Sequence, residues 1–152
     1  MGKELGRDKV LQQKMQKRGE MLRVDKIILV ILAIEHLGFG IYGFYSPEGI
    51  AELTGYGLNS EFAYSEIRAY YTLISGLGLM AFLAIFFHKL SRQTYILFSF
   101  MFGCIFAGRL ANYLLTSQID NSIMIAMIAE VLVIVLSLWR LASYKDRSAV
   151  EV

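Results

Sequence analysis

The sequence predicts an all-α protein: a four-helix transmembrane bundle, N-in/C-in, with a basic amino-terminal leader and a short outer-surface helix in the first outer loop. Three observations predict it. Hydrophobic residues make up 56% of the 152-residue chain and charged residues 18%, with a mean hydropathy of +0.50, whereas soluble domains run near half apolar and a quarter charged. The apolar excess gathers in four blocks, 27–45, 67–87, 95–115 and 119–139, each long enough for a hydrocarbon core that needs roughly 17–25 helical residues. Finally, thirteen of the fifteen lysines and arginines fall on one side if the chain crosses four times.

The leader, residues 1–24, carries Lys3, Arg7, Lys9, Lys14, Lys17, Arg18 and Arg23, with Lys26 just beyond it. Val10, Leu11, Met15 and Leu22 lie near one helical face, which fits either an interfacial helix on anionic headgroups or a solvated tail that sets topology. The first block does not read as a cleaved signal peptide, because a charged leader precedes it and Glu35 and His36 interrupt it. Gly6 stands where a myristoylation signal needs Ser or Thr.

After the first block, Ser46, Pro47 and Glu48 spell a helix start: a serine cap, proline in the first turn and an acid at the positive end of the dipole. Gly55 is expected to stop that short helix. The connections 46–66 and 116–122 contain no Lys or Arg, but Glu48, Glu52, Glu61, Glu66 and Asp120. Lys89 and Arg92 lie between the second and third blocks, and Arg140, Lys145 and Arg147 follow the fourth. The positive-inside rule therefore places both termini in the cytoplasm. One domain results: a four-helix domain over 25–144 and a cytoplasmic tail over 145–152. The net charge of +2 belongs to topology and gives no nucleic-acid signal.

Two arginines remain, Arg68 near the outer end of the second helix and Arg109 in the outer half of the third; Glu35 and Glu130 sit near mid-membrane in the first and fourth. An uncompensated charge at the bilayer centre costs at least about 2.5–3.5 kcal/mol, so these four are expected to face one another. Adjacent antiparallel helices should pair Glu130 with Arg109, and Glu35 should reach Arg68 or Arg109. Around them stand Tyr71, Thr72 and Ser75 on the second helix, Asn112 and Tyr113 on the third, Tyr42 and His36 on the first, and Glu66 ahead of Arg68. Gly103, Ala107 and Ala111, and likewise Cys104, Gly108 and Asn112, form small ridges suited to close helix approach. Gly38, Gly40 and Gly43 spell GxGxxG inside a membrane helix, where the strand–turn–helix setting of a dinucleotide site is missing and close packing is the reading. His88 reads as an interfacial residue and the lone Cys104 as a small packing residue. No catalytic set, metal-ligand spacing or cofactor motif is present in the sequence.

The run Ser65, Glu66, Ile67, Arg68, Ala69, Tyr70, Tyr71, followed by Ser75, Gly76, Leu77, Gly78, Leu79, resembles a bacterial membrane family catalogued as domain of unknown function 4345. So do Gly108, Arg109, Leu110 and the glutamate Glu130 of the last helix. The resemblance covers roughly 27–141 and omits the leader; in layout the family is similar to small four-helix DoxX-like proteins. Small glycines tend to follow the tyrosine in the family, where this chain has Thr72 and Leu73. The resemblance implies four helices in the bacterial inner membrane and brings no activity with it.

Three functions compete. In the first, Arg68 and Arg109 bind an anionic small molecule or lipid headgroup in an outward-facing pocket lined by Tyr42, Tyr71 and Tyr113. In the second, the charges fix helix packing or pair with a membrane-protein partner or second copy. In the third, Glu35, His36 and Glu130 shuttle protons in an isomerase-like membrane enzyme.

Overall fold

The computed structural model describes the backbone of residues 2–148 and the side chains of residues 23–144. The side chains of the leader before Arg23 and of the tail after Tyr144 therefore lie outside the described residues. The chain forms five helices: α1 (Gly2–Tyr45), α2 (Pro47–Thr54), α3 (Glu61–Phe86), α4 (His88–Thr116) and α5 (Asn121–Ser148). No strand occurs among the described residues. Four helical stretches, Arg23–Tyr45, Glu61–Phe86, His88–Thr116 and Asn121–Tyr144, are long and apolar enough to cross a membrane.

The helices run past the apolar blocks at both ends. Only Phe87 separates α3 from α4; its N–H donates to the Leu83 carbonyl and its own carbonyl accepts from Leu90 N–H. The polar run between the second and third blocks is thus the first turns of α4 and not a loop. Within that helical run the Thr94 hydroxyl is satisfied locally, donating to the Leu90 carbonyl at 2.9 Å. Pro47 opens α2 and Gly55, at φ 73°, closes it in the left-handed region, although Ser46 makes no side-chain cap. Ser60 caps α3 by accepting from Ala63 N–H, and Asp120 accepts from Ile123 N–H at the start of α5.

α1 packs along α3, α4 along α5, and α3 joins the two pairs. The α1–α3 contact is made by glycine. A side chain at Gly40 would overlap the Ser75 backbone, one at Gly43 the Tyr71 ring, and one at Gly78 the backbone of His36 and Leu37. Two of the three GxGxxG glycines are therefore packing residues, while Gly38 faces open space. The small ridge on α4 does not serve the same purpose within the chain, since Gly103 and Gly108 also face open space and Cys104 is exposed. Substituting Gly78 by alanine is expected to cost about 1–3 kcal/mol through overpacking, whereas Gly38→Ala should be neutral or stabilising by up to about 1 kcal/mol. Unfolding titrations with a denaturing detergent, followed by helical circular dichroism, would separate the two.

Asp25 near the start of the first span pairs with Arg140 near the end of the last. Those two ends, together with Lys26, Lys89 and Arg92, therefore share one end of the bundle, called here the basic end. Burial is concentrated toward it: Leu29, Leu32, Ile74, Leu77, Ala81, Tyr95 and Phe98 form its core. Beyond Phe98 no residue of α4 is buried, and before Glu130 none of α5 is. At the opposite, acidic end, α2 covers α3 through Ile50, Ile67 and Tyr71, so α4 and α5 part from the covered helices there.

Candidate functional site

Two carboxylate–arginine pairs occur among the described residues, and their surroundings differ. At the basic end Arg140 holds Asp25 with two bonds, Nη2 to Oδ1 at 2.7 Å and Nε to Oδ1 at 2.8 Å. Tyr144 donates to Asp25 Oδ2 at 3.1 Å, and Tyr95 lies 3.4 Å from Oδ1. The side chains are 3% and 2% exposed. This pair ties α1 to α5 with both side chains almost fully buried. Sequence reasoning missed it, treating Arg140 as a topology charge and passing over Asp25. The only signal was an acid opening the first block among basic neighbours, with tyrosines at 95 and 144.

The second pair is the one the sequence predicts. Arg109 Nε donates to Glu130 Oε1 at 2.7 Å, joining α4 to α5. Glu130 is sealed at 6% exposure, but Arg109 remains 37% exposed. The bond uses Nε alone, and no described residue bonds the terminal guanidinium nitrogens. Beneath them, Glu130 Oε2 is buried without a hydrogen-bond partner among the described residues. The pair sits in the half of the bundle where α4 and α5 lose their cover. An apolar hollow of about 340 Å³ occupies the same turns of α4 and α5, with Phe106 one turn before Arg109 and Met127 and Val131 flanking Glu130.

The other expected residues are dispersed. Glu35 does not meet either arginine. Its side chain is 54% exposed, and among the described residues it comes within 4.0 Å only of the adjacent His36 ring as an ion-pair partner would. The reason is azimuth and register. His36 points inward, so Glu35, about 100° around the helix, points outward. The glycine contacts set Gly40 level with Ser75 and Gly43 level with Tyr71. Arg68 then stands level with Ser46 and Pro47, about twelve residues or roughly 18 Å from Glu35. Instead, the Arg68 guanidinium lies 5.8 Å from the Tyr64 ring centroid.

His36 is a core residue. Its Nδ1 bonds the Leu32 carbonyl at 2.8 Å, so that nitrogen carries the proton, and its ring stands edge-on to Phe98 and Phe102. Tyr71 is buried beneath α2 and against Gly43. Tyr42 is exposed on α1 with its hydroxyl close against Gly49, while Glu66, Asn112 and Tyr113 are exposed. Neither the apolar hollow nor the second hollow, at the basic end, includes Arg68, Arg109 or the tyrosines expected to line a pocket. Of the ten residues expected to cluster, only Arg109 and Glu130 bond one another.

No curated protein and no solved structure matches the chain. A family model does, over residues 24–141, the stretch that carries both ion pairs and all but the outermost residues of the four candidate spans. On that match the chain belongs to the family described as Domain of unknown function (DUF4345).

Proposed function

We propose that this small polytopic membrane protein holds an anionic amphiphile, a lipid headgroup or small molecule carrying a carboxylate or phosphate, against the open edge of Arg109. The contrast between the two ion pairs carries the reading. Asp25–Arg140 shows what a pair made only for packing looks like in this chain: doubly bonded and sealed on both sides. Arg109 instead offers free donors at the mouth of a parted pair of helices, and sealed Glu130 fixes the guanidinium from behind through a single nitrogen. An exposed guanidinium edge within an apolar span is costly unless an anion meets it, and a guanidinium fork suits a planar or tetrahedral oxyanion. The hollow along Phe106, Met127 and Val131 gives an apolar tail somewhere to lie. With the basic end in the cytoplasm, as the positive-inside rule orients it, the site opens toward the outer leaflet of the bacterial inner membrane.

Native mass spectrometry on protein extracted with its surrounding lipid tests this. The expected result is a defined adduct that survives in Arg68→Ala and disappears in the double variant Arg109→Leu with Glu130→Leu. That variant replaces the pair by apolar side chains and should keep the fold. An adduct unchanged in the double variant overturns the assignment.

A second reading rests on Glu35. A carboxylate this exposed on the lipid-facing side of α1 calls for a partner from another molecule, as in an accessory subunit or a homo-oligomer. The proton-shuttle reading loses its geometry, because His36 is engaged in the core and Glu35 faces away from it.

A further inference from the structure

The hollow at the basic end, about 300 Å³, lies between α1 and the turn from α3 to α4. Its polar wall is built from two elements. Lys26 comes from α1, and His88 and Ser91 come from the first turn of α4. Ser91 is sealed beneath the histidine, with its Oγ 3.4 Å from both His88 Nδ1 and the Ala84 carbonyl. Asp25 also borders the hollow, but Arg140 neutralises it. Arg23, Lys89 and Arg92 are exposed at the same end of the bundle. Among the residues with described side chains, Asp25 is the only carboxylate at this end. The remaining wall is apolar: Leu29, Ile85 and Phe86, continuing onto lipid-facing Phe87.

A cationic mouth over an apolar wall at a helix end matches one class of molecule. The volume is at the lower limit of ligand pockets, about 300–1,000 Å³, which suits a headgroup and not a whole lipid. We propose that this hollow seats the phosphate of an anionic phospholipid, held between Lys26 and His88, with the first acyl methylenes along Leu29, Ile85 and Phe86. Basic pockets between membrane helices bind such headgroups by this combination of charge and apolar contact. The site is separate from the Arg109–Glu130 pair, which lies toward the other end of the bundle, and does not depend on the function proposed for that pair.

The test uses the full chain in nanodiscs of phosphatidylcholine, with phosphatidylglycerol exchanged in and retention read by native mass spectrometry. Phosphatidylglycerol should be retained in preference to phosphatidylcholine. Lys26→Gln should weaken retention about fivefold, the effect of one basic residue near an anionic headgroup. The double variant Lys26→Gln with His88→Gln should weaken it further, and both losses should persist on an Arg109→Leu with Glu130→Leu background, which lacks the other proposed anion site. Equal retention of the two lipids, or no loss in Lys26→Gln, overturns the proposal. So does competition by millimolar inorganic phosphate alone, which would make the hollow a free-anion site.

Discussion

Arg140→Ala is expected to cost about 3–5 kcal/mol of folded-state stability, the range for breaking a buried pair by removing one partner. Asp25 is left poorly hydrated once its partner is gone, since it is 2% exposed and lies under Tyr95 and Tyr144. Asp25→Ala should be comparably damaging, because it strands a guanidinium that is 3% exposed. Tyr144→Phe removes one hydrogen bond to a charged group, worth about 1.5–3 kcal/mol. Replacing both charges, Asp25→Leu with Arg140→Met, should return the protein close to its starting stability, as apolar replacements of buried pairs do. Titration with a denaturing detergent, followed by helical circular dichroism, measures all four. A wild-type midpoint for Arg140→Ala would mean that water reaches Asp25.

That pair also shows where sequence reasoning ends. Hydropathy and charge report depth in the membrane, so the candidate spans, the shared end of Lys26 and Arg140 and the pairing of Arg109 with Glu130 were all legible. Azimuth was not. Glu35 and His36 are neighbours in the sequence, yet one packs between phenylalanines and the other faces outward. Deciding which does which needs the partner helix, and the partner is set by glycine contacts that a sequence presents only as a list of small residues. The ridge on α4 looked as good as the glycines of α1, but only Gly40 and Gly43 have a backbone or ring against them. Register is hidden for the same reason. Two charges at plausible depths on adjacent helices can be about three turns apart, as Glu35 and Arg68 are. Asp25 was invisible because its burial depends on residues 70 or more positions away in the chain.

The second large effect is an asymmetry at the open pair. Arg109→Ala should cost about 3 kcal/mol, the lower end of the range for breaking a buried pair, because sealed Glu130 would lose its only ion-pair partner among the described residues. Glu130→Ala should cost only about 1.5 kcal/mol, the loss of one hydrogen bond to a charged group. The freed arginine is already 37% exposed and can extend its long side chain toward the headgroups. Glu130→Gln should fall between wild type and alanine, since its amide oxygen can still accept from Nε. A sealed pair such as Asp25–Arg140 predicts near-equal costs for its two truncations, so the difference between them reports how open each pair is. Equal losses at Arg109 and Glu130 would show that the guanidinium is enclosed in the membrane, by lipid or by another chain. In that case its terminal nitrogens would not be free for an anion. An asymmetry that grows when an anionic amphiphile is added would connect the exposed edge of Arg109 to the ligand, because the ligand would then be lost with the arginine.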